Sequence, residues 1–249
     1  MDKTLLKGLQ VLTHVAHADR NVRIMDVAES LNLTKSNAYR VLKTLESAGF
    51  IRQDPRTKDF LPSIRIWELG TQVMNRLDIR SRAAEALHRL AEQSRETVHL
   101  AILDGREVVY IDKIDSPEPV SAYTRLGGRA PAHCVATGKA MLSQLADAEL
   151  SRLLVDLERH SPFTITDPAR LREELAEARA NGHSINRGEW RDSVWGLAAP
   201  ITDASGGVAA AVGVSGPRYR LDSEPRCEEL ALLVRRAAKD ILESLRHRG

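Results

Sequence analysis

The spacing of apolar residues predicts three helices at the start of the chain. Residues 3–18 form the first, whose apolar stripe consists of Leu5, Leu6, Leu9, Leu12, Val15 and Ala16. Residues 24–30 form the second and residues 35–48 the third, each with one apolar face. Only Leu31-Asn32-Leu33 separates these two helices, and so short a turn holds their axes close to perpendicular.

The third helix carries two capping signals and an unusual outer face. Thr34 stands at the N-cap position, and Gly49 stands where a C′ residue adopts a left-handed conformation. The outer face is polar and lacks acidic residues, and its members are Ser36, Tyr39, Arg40 and Lys43. Because a solvated helix normally mixes both signs of charge, this face is typical of a helix that enters the major groove of DNA. An ordinary helical hairpin whose polar side faces water is the alternative.

A short hairpin, or wing, is predicted after the third helix. Residues 50–53 and 58–61 flank the turn sequence Asp54-Pro55-Arg56-Thr57, which places Arg56 and Lys58 near the tip, where they can meet phosphates. Residues 1–61 are therefore predicted to be a winged helix-turn-helix DNA-binding domain. The residues predicted to contact double-stranded operator DNA are Arg23, Thr34, Lys35, Ser36, Asn37, Tyr39, Arg40, Lys43, Arg56 and Lys58.

Residues 62–80 are predicted to be a linker helix with two separate apolar stripes. One consists of Ile66, Leu69, Val73 and Leu77, and the other of Ile64, Trp67 and Met74. A helix that packs on a single core needs only one stripe, so the second indicates that another copy of the chain covers this helix. The alternative is a helix buried between two domains of one chain.

Residues 81–249 alternate hairpins with helices and predict an α+β domain with an antiparallel sheet. The predicted strands are residues 98–102 and 108–111 around Asp104-Gly105, residues 120–123, and residues 196–202 and 208–215, joined through 203–207. The predicted helices are residues 81–95, 134–145, 147–157 and 168–181, and a final amphipathic helix from Cys227 to Leu245. A loop is expected at residues 126–131.

Composition agrees with a globular protein of about two domains. The chain has 249 residues, of which 43% are hydrophobic and 28% charged. Residues 1–61 hold ten basic and seven acidic side chains, a net charge of +3 against +2 for the whole chain, which is a small excess in favour of nucleic acid. No apolar run is long enough to span a bilayer, and no signal peptide is evident. The expected location is therefore the cytoplasm, away from membranes. Two distant cysteines, Cys134 and Cys227, argue against a disulfide framework.

Over nearly its whole length the chain resembles the IclR family of bacterial transcriptional regulators. The winged N-terminal domain is one mark of this resemblance. The others are the segments GRAPAHCVATGKA at residues 128–140, GLAAPI at residues 196–201 and VSGP at residues 214–217. The resemblance implies a C-terminal effector-binding domain of GAF-like shape, with the ligand between the sheet and the loop at 128–136. The second apolar stripe of the linker helix predicts a dimer through the N-terminal domain and linker, and the resemblance adds a tetramer in which two dimers join through their effector domains.

The residues of this loop independently favour a small organic acid as effector. Gly127 and Gly128 allow close backbone approach, and free amides near Ala136 at the start of the next helix favour an anion. Arg129 and His133 could add donors, and low aromatic content suggests a lining of small and aliphatic residues. The loop and the family resemblance together give the expected effector contacts. They are Gly128, Arg129, Ala132, His133, Cys134, Ala136, Glu189, Asp192, Ala199, Gly213 and Ser215.

Two other functions were weighed against an effector-controlled regulator. Residues 213–217 come close to the Gly-x-Ser-x-Gly of a hydrolase, but Pro217 replaces the last glycine. Because no dinucleotide or phosphate-binding motif appears either, neither an enzyme nor a cofactor is predicted. A metal- or redox-sensing regulator that uses Cys134, His133 and Cys227 is the better alternative, although these residues lack a metal-ligand spacing. For the two cysteines, plain core packing is the simpler interpretation.

Overall fold

A computed structural model describes residues 1–122, 124–202 and 206–246. Contacts between Cα atoms divide the chain into two compact units, Met1–Leu77 and Asp78–Gly249, and this division falls inside the expected linker at residues 62–80. Two expected features lie partly outside the described residues. They are the last residue of the strand at 120–123 and residues 203–205 of the connection at 203–207. None of the described helices is long and apolar enough to cross a membrane.

The first unit is the predicted winged helix-turn-helix. It contains α1 (Lys3–His17), α2 (Ile24–Ser30), α3 (Lys35–Ser47), β1 (Ile51–Gln53), β2 (Phe60–Pro62) and α4 (Ile64–Met74). Its core joins all three N-terminal helices to the hairpin, and the buried members are Val11, Val15, Val22, Val27, Ala28, Ala38, Val41, Leu42, Ile51 and Phe60. The strands β1 and β2 pair antiparallel, with Arg52 opposite Leu61.

Both predicted caps of α3 are confirmed. The Thr34 hydroxyl accepts a hydrogen bond from the Asn37 amide at 3.3 Å. At the other end Gly49 has φ +78°, its amide donates to the Glu46 carbonyl, and the Phe50 amide donates to the Leu45 carbonyl. This pair of bonds is a Schellman motif, which ends the helix and turns the chain into the wing.

The apolar stripes of α1 and α4 differ from the prediction. In α1 only Val11 and Val15 are buried, whereas Leu5, Leu6, Leu9 and Ala16 are exposed, because the core of this unit reaches only the C-terminal half of the helix. The helix α4 ends at Met74, earlier than expected, and none of its residues is buried. The stripe of α4 that was expected to pack on its own domain therefore leaves Leu69 and Val73 exposed.

The second unit is an α+β domain, as predicted. Its elements are α5 (Asp78–Ser94), β3 (Thr97–Asp104), β4 (Glu107–Ile114), β5 (Arg129–Pro131), a 3₁₀ turn (Ala132–Cys134), α6 (Ala136–Leu142), α7 (Asp147–Leu153), α8 (Pro168–Asn181), β6 (Ser184–Arg187), β7 (Val194–Thr202), β8 (Val208–Pro217), α9 (Arg218–Leu221) and α10 (Glu224–Arg246). The described strands form an antiparallel sheet of six in the order β5-β4-β3-β8-β7-β6.

The sheet has helices on both of its faces. On one face, Ala101, Ala198 and Ala211 pack with the apolar residues of α6, α7 and α8 in a single core. The helices α5 and α10 pack against each other and against the sheet, and their buried residues lie outside that core. Strands buried on both faces explain the continuous apolar runs of β7 and β8.

Several expected boundaries in this unit were wrong. Residues 120–122 form no strand, because both edges of β4 are already occupied, by β3 and by β5. The expected loop at residues 126–131 instead contains β5, whose Ala130 pairs with Val108. The helix expected at residues 134–145 is shorter, since α6 begins at Ala136 after the 3₁₀ turn and ends at Leu142, and α7 stops at Leu153. The strand β6 was missed because four residues are too few for a periodic signal.

Candidate functional sites: a DNA-contact surface and a cavity

The outer face of α3 is exposed and mostly basic or hydroxyl-bearing. The inner residues Ala38, Val41 and Leu42 are buried, and this fixes which side of the helix faces outward. The exposed residues of this helix start and outer face are Thr34, Lys35, Ser36, Tyr39 and Arg40. The guanidinium of Arg40 lies 3.3 Å from the amide oxygen of half-buried Asn37, one turn back on the same helix. These side chains form a continuous hydrogen-bonding surface of the kind that reads base edges.

Lys43 differs from the other residues of this face because its ammonium group is already engaged. It lies 2.6 Å from the Glu46 carboxylate and 3.2 Å from the side-chain oxygen of Gln53 in the wing. The hydrogen bond to Glu46 raises the pKa of Lys43. The expectation of an acid-free surface is therefore wrong at this position, since Glu46 one turn further along reaches back. Through these two contacts Lys43 links α3 to the wing.

The tip of the wing is held rigid by a side chain that accepts backbone hydrogen bonds. The Asp54 carboxylate accepts from the amides of Arg56 and Thr57 at 2.8 and 3.0 Å, and these bonds lower its pKa. Lys58 has φ +64°, a strained conformation for a residue with a side chain, and its carbonyl accepts from Gln53. Arg56 and Lys58 are both exposed on this fixed turn.

Arg23 precedes α2 and is exposed, as expected for a phosphate contact. Its amide donates to the Asp26 carboxylate at 3.1 Å, which ties the backbone at this helix start.

The second unit contains a cavity between the sheet and the segments before α6 and β7. It encloses about 500 Å³ of empty space, counting the part that is open to solvent. Its lining is mainly apolar with a few convergent polar groups, which is the usual composition of a small-molecule site. The lining residues are His99, Tyr110, Ala122, Thr124, Val135, Ala136, Thr137, Asn186, Trp190, Arg191, Val194, Gly196, Val214 and Ser215.

A buried histidine joins two hydroxyl groups across the cavity wall. The two ring nitrogens of His99 lie 2.5 Å from the Ser215 hydroxyl and 3.2 Å from the Thr124 hydroxyl. Burial lowers the pKa of His99 to about 4, so the ring is neutral at physiological pH. A neutral imidazole carries one donor and one acceptor nitrogen, and the two hydroxyls can adapt to either tautomer.

Three further polar groups are available to a ligand. The hydroxyl of buried Thr137 makes no hydrogen bond within 3.5 Å to the described residues, and the Tyr110 phenol interacts with it at longer range. Nearby, burial raises the pKa of Tyr110 to about 12, so its phenol stays protonated. The exposed guanidinium of Arg191 stacks 4.7 Å from the ring centre of Trp190. The cavity thus offers neutral donors inside and a cation at its rim.

Of the effector contacts expected from sequence, only Ala136 and Ser215 line this cavity. Arg129 lies on the edge strand β5, where its guanidinium pairs with Asp104 and with Glu107, the latter at 2.9 Å. These pairings hold its guanidinium at the edge of the sheet, outside the cavity. Ala199 pairs with Val212, and strand alternation sends its side chain to the sheet face opposite Ala198.

The remaining expected contacts have other surroundings. His133 lies 3.0 Å from the Glu158 carbonyl oxygen, and Glu189 is buried against Lys139. The carbonyl of Gly128 accepts from the Tyr110 amide, which makes this residue part of the sheet edge. Gly213 lies opposite His99, where a Cβ would come within 2.7 Å of the Ala198 Cβ. Ala132 and Cys134 are buried in the 3₁₀ turn, and exposed Asp192 lines a separate open groove.

Sequence reasoning missed the residues that give the cavity its character. His99 lies far from the glycine-bearing loop along the chain, and only strand pairing brings it next to Ser215. Thr124 lies just before that loop, where no motif marked it. The expectation of a small, aliphatic lining was also wrong, since Tyr110 and Trp190 both contribute. The signal that could have singled out His99 is its position inside the continuously buried, mainly apolar start of β3.

A serine and a histidine within hydrogen-bond reach also invite an enzymatic interpretation. Ser215 lies within the regular strand β8 and not on a sharp turn after a strand. The group on the other side of His99 is the Thr124 hydroxyl, which cannot stabilise an imidazolium as a carboxylate does. With a pKa near 4, His99 is a weak base. The arrangement favours ligand binding over acyl transfer.

Comparison with known proteins gives the same family for both units. A sequence profile described as "Bacterial transcriptional regulator IclR C-terminal" matches residues 71–243, and one described as "IclR helix-turn-helix domain" matches residues 4–55. The HTH-type transcriptional repressor AllR of Salmonella paratyphi A is 33% identical over 245 residues, which is 98% of this chain and 90% of the repressor.

Two solved structures are similar over almost their full length. The Thermotoga maritima IclR has a TM-score of 0.80 and 31% identity, covering 97% of this chain and 98% of that one. An IclR homolog from Microbacterium hydrocarbonoxydans, complexed with 4-hydroxybenzoate, has a TM-score of 0.82 and 28% identity, covering 97% and 99%.

Proposed function

This chain belongs to the IclR family of bacterial transcriptional regulators, and we propose that a small carboxylic acid in the cavity of its second unit controls its binding to operator DNA. The chain is a DNA-binding regulator with an N-terminal helix-turn-helix and a C-terminal effector domain. The observation that carries the proposal is the cavity together with its Thr137 hydroxyl, which makes no hydrogen bond within 3.5 Å to the described residues.

The polar groups of the cavity favour an acid with an apolar body. A carboxylate accepts hydrogen bonds, and Thr137 and Tyr110 offer hydroxyl donors that the protein keeps protonated. Arg191 supplies a positive charge at the rim, while Trp190 and Val214 offer apolar contact. The 4-hydroxybenzoate bound to the Microbacterium homolog is an acid of this kind. It supports a small carboxylic acid as the class of effector, but it does not identify the compound.

The experiment is a ligand screen on the full chain. Small carboxylic acids and their matched primary amides are compared by thermal shift, because a ligand that binds only the folded protein raises its melting temperature. We expect acids to stabilise the protein and to change its retention of DNA in gel-shift assays, with weaker effects from the amides. Preference for neutral or cationic compounds would contradict the acid site.

For DNA, we propose that the exposed residues of α3 read bases and that the wing binds phosphate. Arg40 on α3, with its guanidinium exposed, is the proposed base-reading residue, and Arg23, Arg56 and Lys58 are the proposed phosphate contacts. Lys43 is assigned the positioning of the wing because its ammonium is held by Glu46 and Gln53.

We also propose that the protein works as a dimer in the cytoplasm, where it binds chromosomal DNA. Three apolar residues of α4, Ile64, Trp67 and Val73, are 62–68% exposed on the single chain, and Leu5 and Leu9 of α1 are 61% and 52% exposed. Apolar surface of this kind usually marks an interface. The proposed division of labour is DNA binding by residues 1–61, dimer contact by the linker at 62–80 and effector binding by residues 81–249.

A further inference from the structure

Three potential metal ligands meet beside the start of α6, outside the cavity. They are His133 and Cys134 of the 3₁₀ turn and His160 in the loop after α7. One ligand atom from each lies within 4.8 Å of both others. His133 and Cys134 are buried, so two of the three ligands are held in place by packing. No metal-ligand spacing is evident along the chain, because His160 is brought to the pair only by the fold.

A hydrogen bond orients the ring of His133 as metal-bound histidines are oriented. Its Nε2 lies 3.0 Å from the Glu158 carbonyl oxygen, which can only accept, so Nε2 carries the proton. The lone pair is then on Nδ1, which can bind a metal. The hydrogen bond from Nε2–H to the Glu158 carbonyl fixes the orientation of the ring. The ring of His160 lies close by, with its centre 5.9 Å from that of His133.

The charges around this cluster permit a cation. The basic side chain that acts on His133 is Arg106, whose guanidinium donates to the carbonyls of Val155 and Asp156. Lys139 acts on Cys134, and its charge is balanced by its ion pair with Glu189. The carboxylate of Glu158 acts on both His133 and Cys134 and offers a compensating negative charge.

We propose that His133, Cys134 and His160 form a binding site for Zn²⁺ or a similar borderline-soft divalent cation. Thiolate and imidazole are the ligands this class of cation prefers, and three protein ligands with one position left to water is a familiar zinc arrangement. Bonds of about 2.0–2.3 Å hold tetrahedral ligands about 3.5 Å apart, so the cluster must contract by about 1 Å on binding. The thiol proton of Cys134 is released to solvent when the metal binds.

Such a site would tie two segments together next to the cavity. The 3₁₀ turn leads directly into Val135, Ala136 and Thr137, which line the cavity, whereas His160 belongs to the separate loop after α7. A bound cation would restrain this wall of the cavity. Metal occupancy is therefore expected to change the affinity for a carboxylate effector, a consequence that rests on the proposed function, although the metal site itself does not.

The test is a Co²⁺ titration of the full chain after treatment with a chelator. We expect one Co²⁺ per chain, the visible bands of tetrahedral cobalt and a thiolate-to-cobalt charge-transfer absorption, all removed when Zn²⁺ displaces the probe. Cys134→Ala should abolish the charge-transfer band. His160→Ala should weaken Zn²⁺ binding by at least about tenfold, since even the loss of a group that only orients a ligand costs about that much.

Matched controls separate ligands from other groups of the same type. Cys227→Ala removes the other thiol, which donates to the Leu221 carbonyl, and His183→Ala removes a histidine that contacts the Asn181 carbonyl. Both should bind cobalt as the unaltered chain does.

Absence of the thiolate band, or its persistence in Cys134→Ala, would overturn the proposal. Since His160 lies on a loop, His160→Ala tests the site even where Cys134→Ala fails to fold. Carboxylate binding is measured separately on the metal-free protein. The proposed effector site can therefore be refuted without affecting the proposed metal site, and the reverse.

Discussion

The ammonium group of Lys139 lies 2.7 Å from Oε2 and 2.8 Å from Oε1 of Glu189, and both side chains are buried. Glu174 of α8 also pairs with this ammonium. Burial raises the pKa of Glu189, and Lys139 opposes this shift. Because Glu189 directly precedes Trp190 and Arg191, the pair fastens one wall of the cavity to α6. Sequence resemblance made Glu189 an effector contact, whereas its position makes it a support for the cavity wall.

Removing one partner of this buried pair should destabilise the second unit strongly. Lys139→Met leaves the Glu189 carboxylate buried without its cation, and the expected loss is about 3–5 kcal/mol in the free energy of unfolding. The measurement is urea unfolding. The double variant Lys139→Met/Glu189→Leu should recover much of the loss, because both charges are then gone. Lys239→Met removes the cation of an exposed pair with Glu243 and should change stability by less than about 1 kcal/mol.

Local signals predicted the DNA-binding unit well. The Thr34 cap, the Gly49 terminus and the Asp54 turn depend on a few neighbouring residues, so sequence alone identifies them. The exposed half of α1 could not be predicted, because an apolar stripe does not say whether a core or another chain covers it. Lys43 was misjudged for a related reason: its partner Gln53 belongs to the wing and not to the helix.

The cavity was harder to predict because it depends on pairings far apart in the chain. His99 meets Ser215 only through the pairing of β3 with β8. Arg129 looked like an anion donor until the structure supplied Asp104 and Glu107 as its partners across a strand and a turn. The family motif at residues 128–140 includes Ala136 and Thr137, which line the cavity. Which positions of the motif reach the cavity depends on where the 3₁₀ turn ends and α6 begins.

Loss of the Thr137 hydroxyl should weaken effector binding without unfolding the protein. Thr137→Val keeps the shape and removes a hydroxyl that makes no hydrogen bond within 3.5 Å to the described residues. Stability should therefore change little, while affinity for the acid falls about 2–12-fold, the range for one hydrogen bond. Calorimetric titration with the best acid from the screen measures this. Ser151→Ala on α7 removes a hydroxyl outside the cavity and serves as the control. Equal affinity in Thr137→Val would remove this residue from the site.

Acid should destabilise the second unit through His99. Its pKa is lowered to about 4 in the folded protein, against an ordinary value of 6.5, so the unfolded chain binds the proton more readily. The stabilising effect is complete above pH 6.5 and is lost as the pH falls towards 4, a total of about 3 kcal/mol. His99→Gln should remove this part of the pH dependence in urea unfolding between pH 4 and 7. His88→Gln changes an exposed histidine, and its curve should keep the original slope.

The two arginines of the DNA-contact surface should separate specific from non-specific binding. A bidentate contact from Arg40 to guanine is the commonest specific contact, so Arg40→Ala should cost about 1–3 kcal/mol on selected operator DNA and much less on random DNA. Arg56→Ala in the wing should weaken both about equally, since phosphates carry no sequence. Gel-shift titrations on operator DNA selected from a random library and on scrambled DNA measure both effects. If the two variants lose affinity in the same way, Arg40 does not read bases.

A charge on the exposed face of α4 should break the proposed dimer. Trp67 is 65% exposed on the single chain, with Ile64 68% exposed one turn before it. One recognition helix contacts only a few base pairs, so winged-helix regulators normally pair across a two-fold axis to gain specificity. A dimer would cover this apolar surface and bind a pseudo-palindromic operator, and an effector could then act by changing the spacing of two DNA-binding heads.

Trp67→Glu places a carboxylate in that interface and should convert dimers to monomers in light scattering. Since Trp67 contributes no buried side chain to its own unit, the thermal unfolding of both units should be unaffected, and carboxylate binding should persist. Operator affinity should fall towards that of random DNA because the two half-sites are no longer bound together. Glu68→Gln, on the same helix, is the control and should leave the dimer intact. A Trp67→Glu protein that remains dimeric and still binds operator DNA would show that another surface joins the two copies.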